Sequence, residues 1–254
     1  MKITKRGIVI PDQHFPIHDQ KAIEVTLKAI EIIKPDIFIN LGDVGEWDSV
    51  SAWKYKRRKM PPLEYQLPII HNEIGLVNNE IDRFDKVLKK VKCKKKYICV
   101  GNHDMWLDFF VEKFPYMKHL KFKKACKWEE RGYKYIPYNK PLRIGKLNFI
   151  HGVYATVYHA KKHLEAYGSN ICYGHTHDIQ RHTISKLDSG TIGAWSMGCL
   201  KDMSAEKNKW LRGALTNWNH GFGIIDWYTG GNFKIEVVEI VNGTTSLWGD
   251  LITV

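Results

Sequence analysis

Acidic residues are in short supply in this 254-residue chain: 27 Asp and Glu stand against 39 Lys and Arg, a formal charge of +12. That imbalance points to polyanionic partners, the more so because the basic residues gather in runs. The runs are Lys54 to Lys59, Lys89-Lys90 with Lys94-Lys95-Lys96, and Lys118 to Lys127. Each reads either as a polyanion contact or as a solvated surface. Cysteine is scarce too. Cys93, Cys99, Cys126, Cys172 and Cys199 are an odd, scattered set without CxxC spacing, which excludes a disulfide framework and a structural zinc site and leaves buried, reduced thiols as the expectation. No apolar stretch reaches eighteen residues and Met1-Lys2 lead straight into a strand, so neither a membrane span nor a signal peptide is expected, and a cytoplasmic location follows. Internal repeats and low-complexity linkers are also missing. A chain of this length can bury one sizeable core, and a single domain over residues 1–254 is expected.

What the chain does have is a series of short polar islands: Asp12-Gln13-His14, Gly42-Asp43, Gly101-Asn102-His103-Asp104, His151-Gly152 and Gly174-His175-Thr176-His177. Carboxylates, an amide and imidazoles are the oxygen and nitrogen donors that a pair of divalent metals needs. Any one island is weak, since a D-x-H tripeptide or two histidines two apart is common in solvated turns. Their joint occurrence, mostly after apolar runs, is the signal.

The apolar runs place the islands at strand ends. Gly7 to Ile10 reads as a buried strand that leaves at Pro11 to present Asp12 and His14. Lys21 to Ile33 carries Ile23, Leu27, Ile30 and Ile33 on a helical stripe, stopped by Pro35, and the strand Ile37 to Leu41 then delivers Asp43. A parallel pair with a crossover helix follows, which gathers ligands outside the strand carboxyl ends. Ile70, Ile74, Val77, Ile81, Phe84 and Leu88 predict a helix with one apolar face. Tyr97 to Val100, Leu147 to Ile150 and Asn170 to Tyr173 are further buried strands, delivering Asn102, His151 and His175; Gly174 is expected to permit a tight turn. Thr191 to Met197, Phe222 to Tyr228 and Phe233 to Ile240 alternate as strands. The expected fold class is α/β, a four-layer α/β/β/α sandwich of two mixed sheets flanked by helices, with insertions near 47–95 and 105–141.

The order D-x-H, G-D, G-N-H-D, H-G, G-H-T-H, from Asp12 to His177, resembles the calcineurin-like metallophosphoesterases, and the later segments are similar to phage-encoded members. One departure is Glu46, where members of that superfamily often carry an Asp that supports the site without ligating metal. The resemblance implies two divalent ions, Mn, Fe, Zn or similar, with manganese a natural candidate and the thiolate-free donor set not choosing among them. Asp43 is the candidate bridging carboxylate; Asp12, His14 and His177 complete one site, and Asn102, His151 and His175 the other. His103 is implied to stand over the metals and to protonate or stabilise the departing oxygen, with Asp104 orienting it.

The implied function is dinuclear-metal-dependent phosphoester hydrolysis by metal-activated hydroxide attack. Within that enzyme class the basic runs favour a phosphodiesterase or nuclease acting on nucleic acid, in a host cytoplasm if phage-encoded, with Lys56, Arg57 and Arg58 as substrate-binding residues on a flap. The alternative is a phosphomonoesterase acting on phosphoprotein or a small phosphorylated metabolite. A non-catalytic scaffold is a third reading, disfavoured by the complete donor set. His159 and His163 are expected on a solvated basic helix, and Trp195, Trp210, Trp218 and Trp227 in the core. His220 either shapes the substrate pocket or serves a turn, and His18, His71, His119 and His182 have no supporting constellation.

Overall fold

A computed structural model of the chain describes residues 2–187 and 190–254. In chain order the elements are β1 (Ile3–Ile10), α1 (Gln20–Ile33), β2 (Ile37–Asn40), α2 (Leu63–Lys90), β3 (Lys95–Cys99), α3 (Met105–Lys113), α4 (Phe122–Ala125), β4 (Tyr133–Ile136), β5 (Leu142–Ile144) and β6 (Leu147–Phe149). They continue with α5 (His159–Tyr167), β7 (Ile171–Tyr173), β8 (Arg181–Lys186), β9 (Gly190–Ser196), β10 (His220–Tyr228), β11 (Phe233–Ile240), β12 (Thr244–Leu247) and β13 (Asp250–Thr253).

Period-two alternation along the strands builds the layers. Ile8, Ile10 and Phe38 face α1 and α2, whereas Val9, Ile37 and Ile39 turn to the other side and meet Leu147, Phe149, Cys172 and Trp195. The first sheet runs β11-β10-β1-β2-β3-β4, with β1 to β4 parallel and β10 antiparallel to β1. A second sheet, β5-β6-β7-β9-β8, packs against it and carries α5 on its outer face through Ala160 and Leu164 against Ile171, Tyr173 and Ala194. The expected α/β/β/α sandwich of two mixed sheets is what the chain forms.

The apolar stripe of α2 behaves as its spacing predicts: Ile70, Val77, Ile81, Phe84 and Leu88 are buried in the helix-side core. The helix begins earlier than the stripe, at Leu63. The aromatic stretch 105–141 is more than surface elaboration, since Phe122, Trp128 and Tyr133 are core residues and β4 extends the first sheet as a parallel edge strand. Four of the five cysteines are buried; Cys93 is half-buried, and all are free thiols.

Candidate metal centre

Parallel strands that end together put the loops that follow them together, and the five islands meet at that end of the sandwich. Asp12 and His14 follow β1, Asp43 follows β2, Asn102 and His103 follow β3, His151 follows β6, and His175 and His177 follow β7. The loops are tied to one another: His14 N–H donates to Asp43 O at 2.9 Å, Gly174 N–H to His151 O at 2.7 Å, and Leu200 N–H to Asp12 O at 3.0 Å. Asp12, His14, Asp43, His175 and His177 all sit at positive φ, between 36° and 73°. For residues with a Cβ this region is costly, about 1–2 kcal/mol each, and such strain persists where the surroundings over-determine it. Here it aims five side chains into one space.

Donor atoms converge in three overlapping groups, Asp12-His14-His177, His14-Asp43-His103 and Asp43-His151-His175, each within 4.8 Å. Within the first group His14 Nε2 lies 3.0 Å from His177 Nε2, and within the third His151 Nε2 lies 3.3 Å from Asp43 Oδ2; Asn102 joins the cluster through its Oδ1, 2.9 Å from His151 Nε2. All seven residues expected as ligands are thus brought to one place. The glycines of the islands make room for the carboxylates. A Cβ on Gly174 would overlap Asp12 Oδ2, and one on Gly101 would overlap Asp43 Oδ1. Gly174 is therefore needed for close approach, and the positive φ falls on the next residue, His175.

Each carboxylate is oriented from behind. Both oxygens of Asp12 accept from the His175 amide at 2.9 Å, and Asp43 Oδ1 accepts from the His103 amide at 2.8 Å. His151 Nδ1–H donates to Leu41 O at 3.0 Å, which leaves Nε2 as the donor facing the site. Glu46 does the same for His14, its Oε2 accepting from Nδ1 at 2.7 Å.

The electrostatics fit cations. Asp12 and Asp43 are 0% and 2% exposed, and no lysine or arginine pairs with either among the described residues. Burial, and then the Asp43 charge against the pull of His151, pushes Asp12 well above its ordinary range. Burial acts on Asp43 in the same sense, yet His151 and His103 hold it well below. Burial lowers His14 to about 4 and His175 to about 3 and holds His177 well below its ordinary range, so these imidazoles are neutral and offer lone pairs. Against burial, Asp43 raises His151 to about 9. Crowded carboxylates beside neutral imidazoles, with an amide and no thiolate, are the donor chemistry of divalent Mn, Fe or Zn.

His103 is half-buried, its Nδ1 donating to Glu46 O at 3.0 Å and its ring 3.9 Å from that of Trp106. The expected pairing with Asp104 is not what the structure holds. Asp104 is fully buried and accepts from Val44 N–H at 3.1 Å, Trp47 Nε1–H at 3.0 Å and Gly101 N–H at 3.0 Å. A carboxylate so placed staples the Asn102 loop to the Asp43 loop, and the Glu46 carbonyl with Trp106 orients His103 instead.

Lys201 was not legible as part of the site. It is 3% exposed, and its Nζ donates to Glu46 Oε2 at 2.9 Å, behind His14. Burial works against it, but His14 and Lys201 together lower Glu46 to about 2. His220 Nε2–H donates to the Lys201 carbonyl at 2.8 Å, so it steadies that segment. The solvated helix expected for His159 and His163 is also corrected. Lys161 and Lys162 face outward on α5, while both histidines are buried. His159 Nε2 pairs with Asp178 at 2.8 Å, and His163 Nε2 accepts from Val153 N–H at 3.0 Å, anchoring the loop after His151. Accepting there and buried first of all, His163 is lowered to about 4.

Of the basic runs, Lys89 to Lys96 closes α2 and opens β3, at the end of the sheet opposite the donors, and Lys90 and Lys96 pair with Glu31 and Asp85. Lys54 to Lys59 comes after the carboxyl end of β2, beyond Asp43. There Lys54 pairs with Asp48, Lys56 stands 5.5 Å over the exposed Trp53 ring, and Arg57 and Arg58 are exposed. Glu73 of α2 holds the preceding turn by accepting from Asp48 N–H at 2.9 Å.

No protein-family model matches the chain. Its fold is that of the calcineurin-like metallophosphoesterases. The structure of vacuolar protein sorting 29 from Cryptosporidium parvum matches it with a TM-score of 0.50, over 99% of this chain and 100% of that one at 14% identity, a likeness of fold. In sequence the chain is similar to two phage proteins, the Gene 54 proteins of Mycobacterium phages D29 and L5. They are 26% and 24% identical to it over 97% of this chain and 98% of theirs. No helix of the described residues is long and apolar enough to cross a membrane.

Proposed function

We propose that this chain is a dinuclear-metal phosphoesterase that hydrolyses nucleic acid strands in the cytoplasm of a phage host. The reading rests on the convergence of Asp12, His14, Asp43, Asn102, His151, His175 and His177, with Asp43 shared between two donor groups. Asp12, His14 and His177 would hold one ion, Asn102, His151 and His175 the other, and Asp43 both. Bound there, the ions supply Lewis acidity and a water acidified towards a pKa of ~7.

The chain's own residues do the rest. Asn102 donates a neutral oxygen, which keeps the site's negative charge low enough for a phosphate to approach. The amides of His175 and His103, and the Leu41 carbonyl, hold Asp12, Asp43 and His151 in fixed orientation, so little reorganisation is needed when substrate arrives. His103, with Nδ1–H engaged by Glu46 O, keeps Nε2 as the position from which a proton passes to the departing oxygen.

A metal-supplemented comparison of p-nitrophenyl phosphate, its bis-ester, and single- and double-stranded oligonucleotides tests the proposal. Turnover of the diester and the oligonucleotides, lost in Asp43→Asn together with bound metal, is expected. Turnover confined to the monoester would move the substrate to a phosphoprotein or small metabolite. Full metal occupancy with no turnover of any ester would leave a binding module.

A further inference from the structure

The chain between Lys201 and His220 crosses the donor end of the first sheet. His220 opens β10, whose register sets Gly223 opposite Val9 of β1, and Asn219 N–H donates to His177 O at 2.8 Å. Trp218 stands edge-on to the His177 ring, with centroids 4.6 Å apart. Trp210 lies 6.0 Å from Trp218 and is 65% exposed. These two are not core residues, unlike Trp195 and Trp227, which are buried as the sequence suggests. Trp210 leaves most of a large ring in water and forgoes its burial energy, and with the half-buried Trp218 it steps outward from a donor residue, an arrangement that calls for an occupant.

The step is held rigidly from beneath. Asn208 is buried and its Nδ2 donates to Asp202 O at 2.8 Å and Ser204 O at 2.9 Å. Asn217 Nδ2 donates at 2.6 Å to Asp178, the partner of His159. In the same segment Lys207, Lys209 and Arg212 are exposed, and none enters an ion pair among the described residues; Glu206 is the acid in their midst.

Resting on the nucleic-acid reading, we propose that Trp218 and Trp210 form a stacking platform for unpaired bases of a single strand. The strand's scissile phosphate would lie at the donor cluster, with Lys207, Lys209 and Arg212 against neighbouring phosphates. Aromatic faces beside cations suit a single strand, because every base has a π-face and the choice is tolerant of sequence. In a duplex those faces are already taken by neighbouring bases. A phosphopeptide would supply charge without regularly spaced planar faces.

Trp210 is the residue to test, since Trp218 touches His177. Binding of a phosphorothioate single strand, and of the same sequence as a duplex, is followed by fluorescence anisotropy on the metal-loaded full chain, with metal content and thermal midpoint measured alongside. Trp210→Ala is expected to weaken single-strand binding roughly 5- to 150-fold, the worth of one stacked base. Trp210→Phe should recover most of the loss, and duplex binding should shift less than twofold. A Trp210→Ala chain that binds the single strand as wild type does overturns the platform and leaves the nucleic-acid reading standing. Equal losses on single strand and duplex also overturn it, as a general phosphate contact. Wild-type protein that turns over nitrophenyl esters yet binds neither oligonucleotide removes the nucleic-acid reading, and the platform with it.

Discussion

A lysine almost wholly out of water is costly unless its charge is answered, and the Glu46 carboxylate answers that of Lys201 at 2.9 Å. Glu46 in turn accepts from His14 at 2.7 Å, so Lys201 acts on the donor cluster through a partner that sets one imidazole's tautomer. Replacing it, as in Lys201→Met, should weaken Mn²⁺ binding by roughly 10- to 100-fold, the usual worth of an outer partner to a ligand. Lys201→Arg should recover much of it, and calorimetric titration of the metal-free protein would read both. At His103 the expectation is different. His103→Asn should keep the metals and lose roughly 10²- to 10⁴-fold on esters with alkoxide leaving groups, with a much smaller loss on nitrophenyl esters, which need little protonation. Equal losses on both would leave contact with the phosphoryl group as its role.

Among the elements, strand direction decides which basic run is in reach. Lys89 to Lys96 closes α2 and opens β3, at the end of the sheet opposite the donors, whereas Lys54 to Lys59 comes after the carboxyl end of β2, from which Asp43 emerges. If Lys56, Arg57 and Arg58 each neutralise a phosphate, converting all three to Ala should flatten the slope of log affinity against log salt by about 2 for a single strand. Titrations of a labelled oligonucleotide at several salt concentrations measure it. A slope equal to that of wild type would make the run a solvated surface. The element α5 teaches a related lesson: Lys161 and Lys162 are exposed as a basic helix should be, but the other face carries His159 and His163 inward to fix two loops.

For the whole molecule, the donor end is a place where the fold crowds like charge and strained backbone. Cations that bind the folded chain and not the unfolded one stabilise it by mass action, about 2.7 kcal/mol for an ion at one hundred times its dissociation constant. For a chain of this size that is roughly 5–10 °C in midpoint. Chelation should therefore lower the thermal transition by about that much, and restoring Mn²⁺ should reverse it, as scanning calorimetry would record.

The linear order of residues was enough for the strands that deliver the donors, the crossover helix and the apolar face of α2, because those depend on periods of two and 3.6 within a few turns of chain, whereas β4, β5, β8, β12 and β13 were not anticipated. It was enough also for the donor islands, whose residue types and places after apolar runs are local facts. Contacts across the sequence were decided by packing. Lys201 reaches Glu46 across 155 positions, with no pattern around it to mark it. Asp104 is adjacent to His103 in sequence, yet its buried amide and indole donors claim it. Trp210 and Trp218 are the same residue type as the core tryptophans, and only the path of their loop over the donor end leaves Trp210 exposed and Trp218 half-buried. Local chemistry specifies which groups a chain can offer; which of them meet is set by how the two sheets close over one another, a long-range burial problem that no short window of sequence contains.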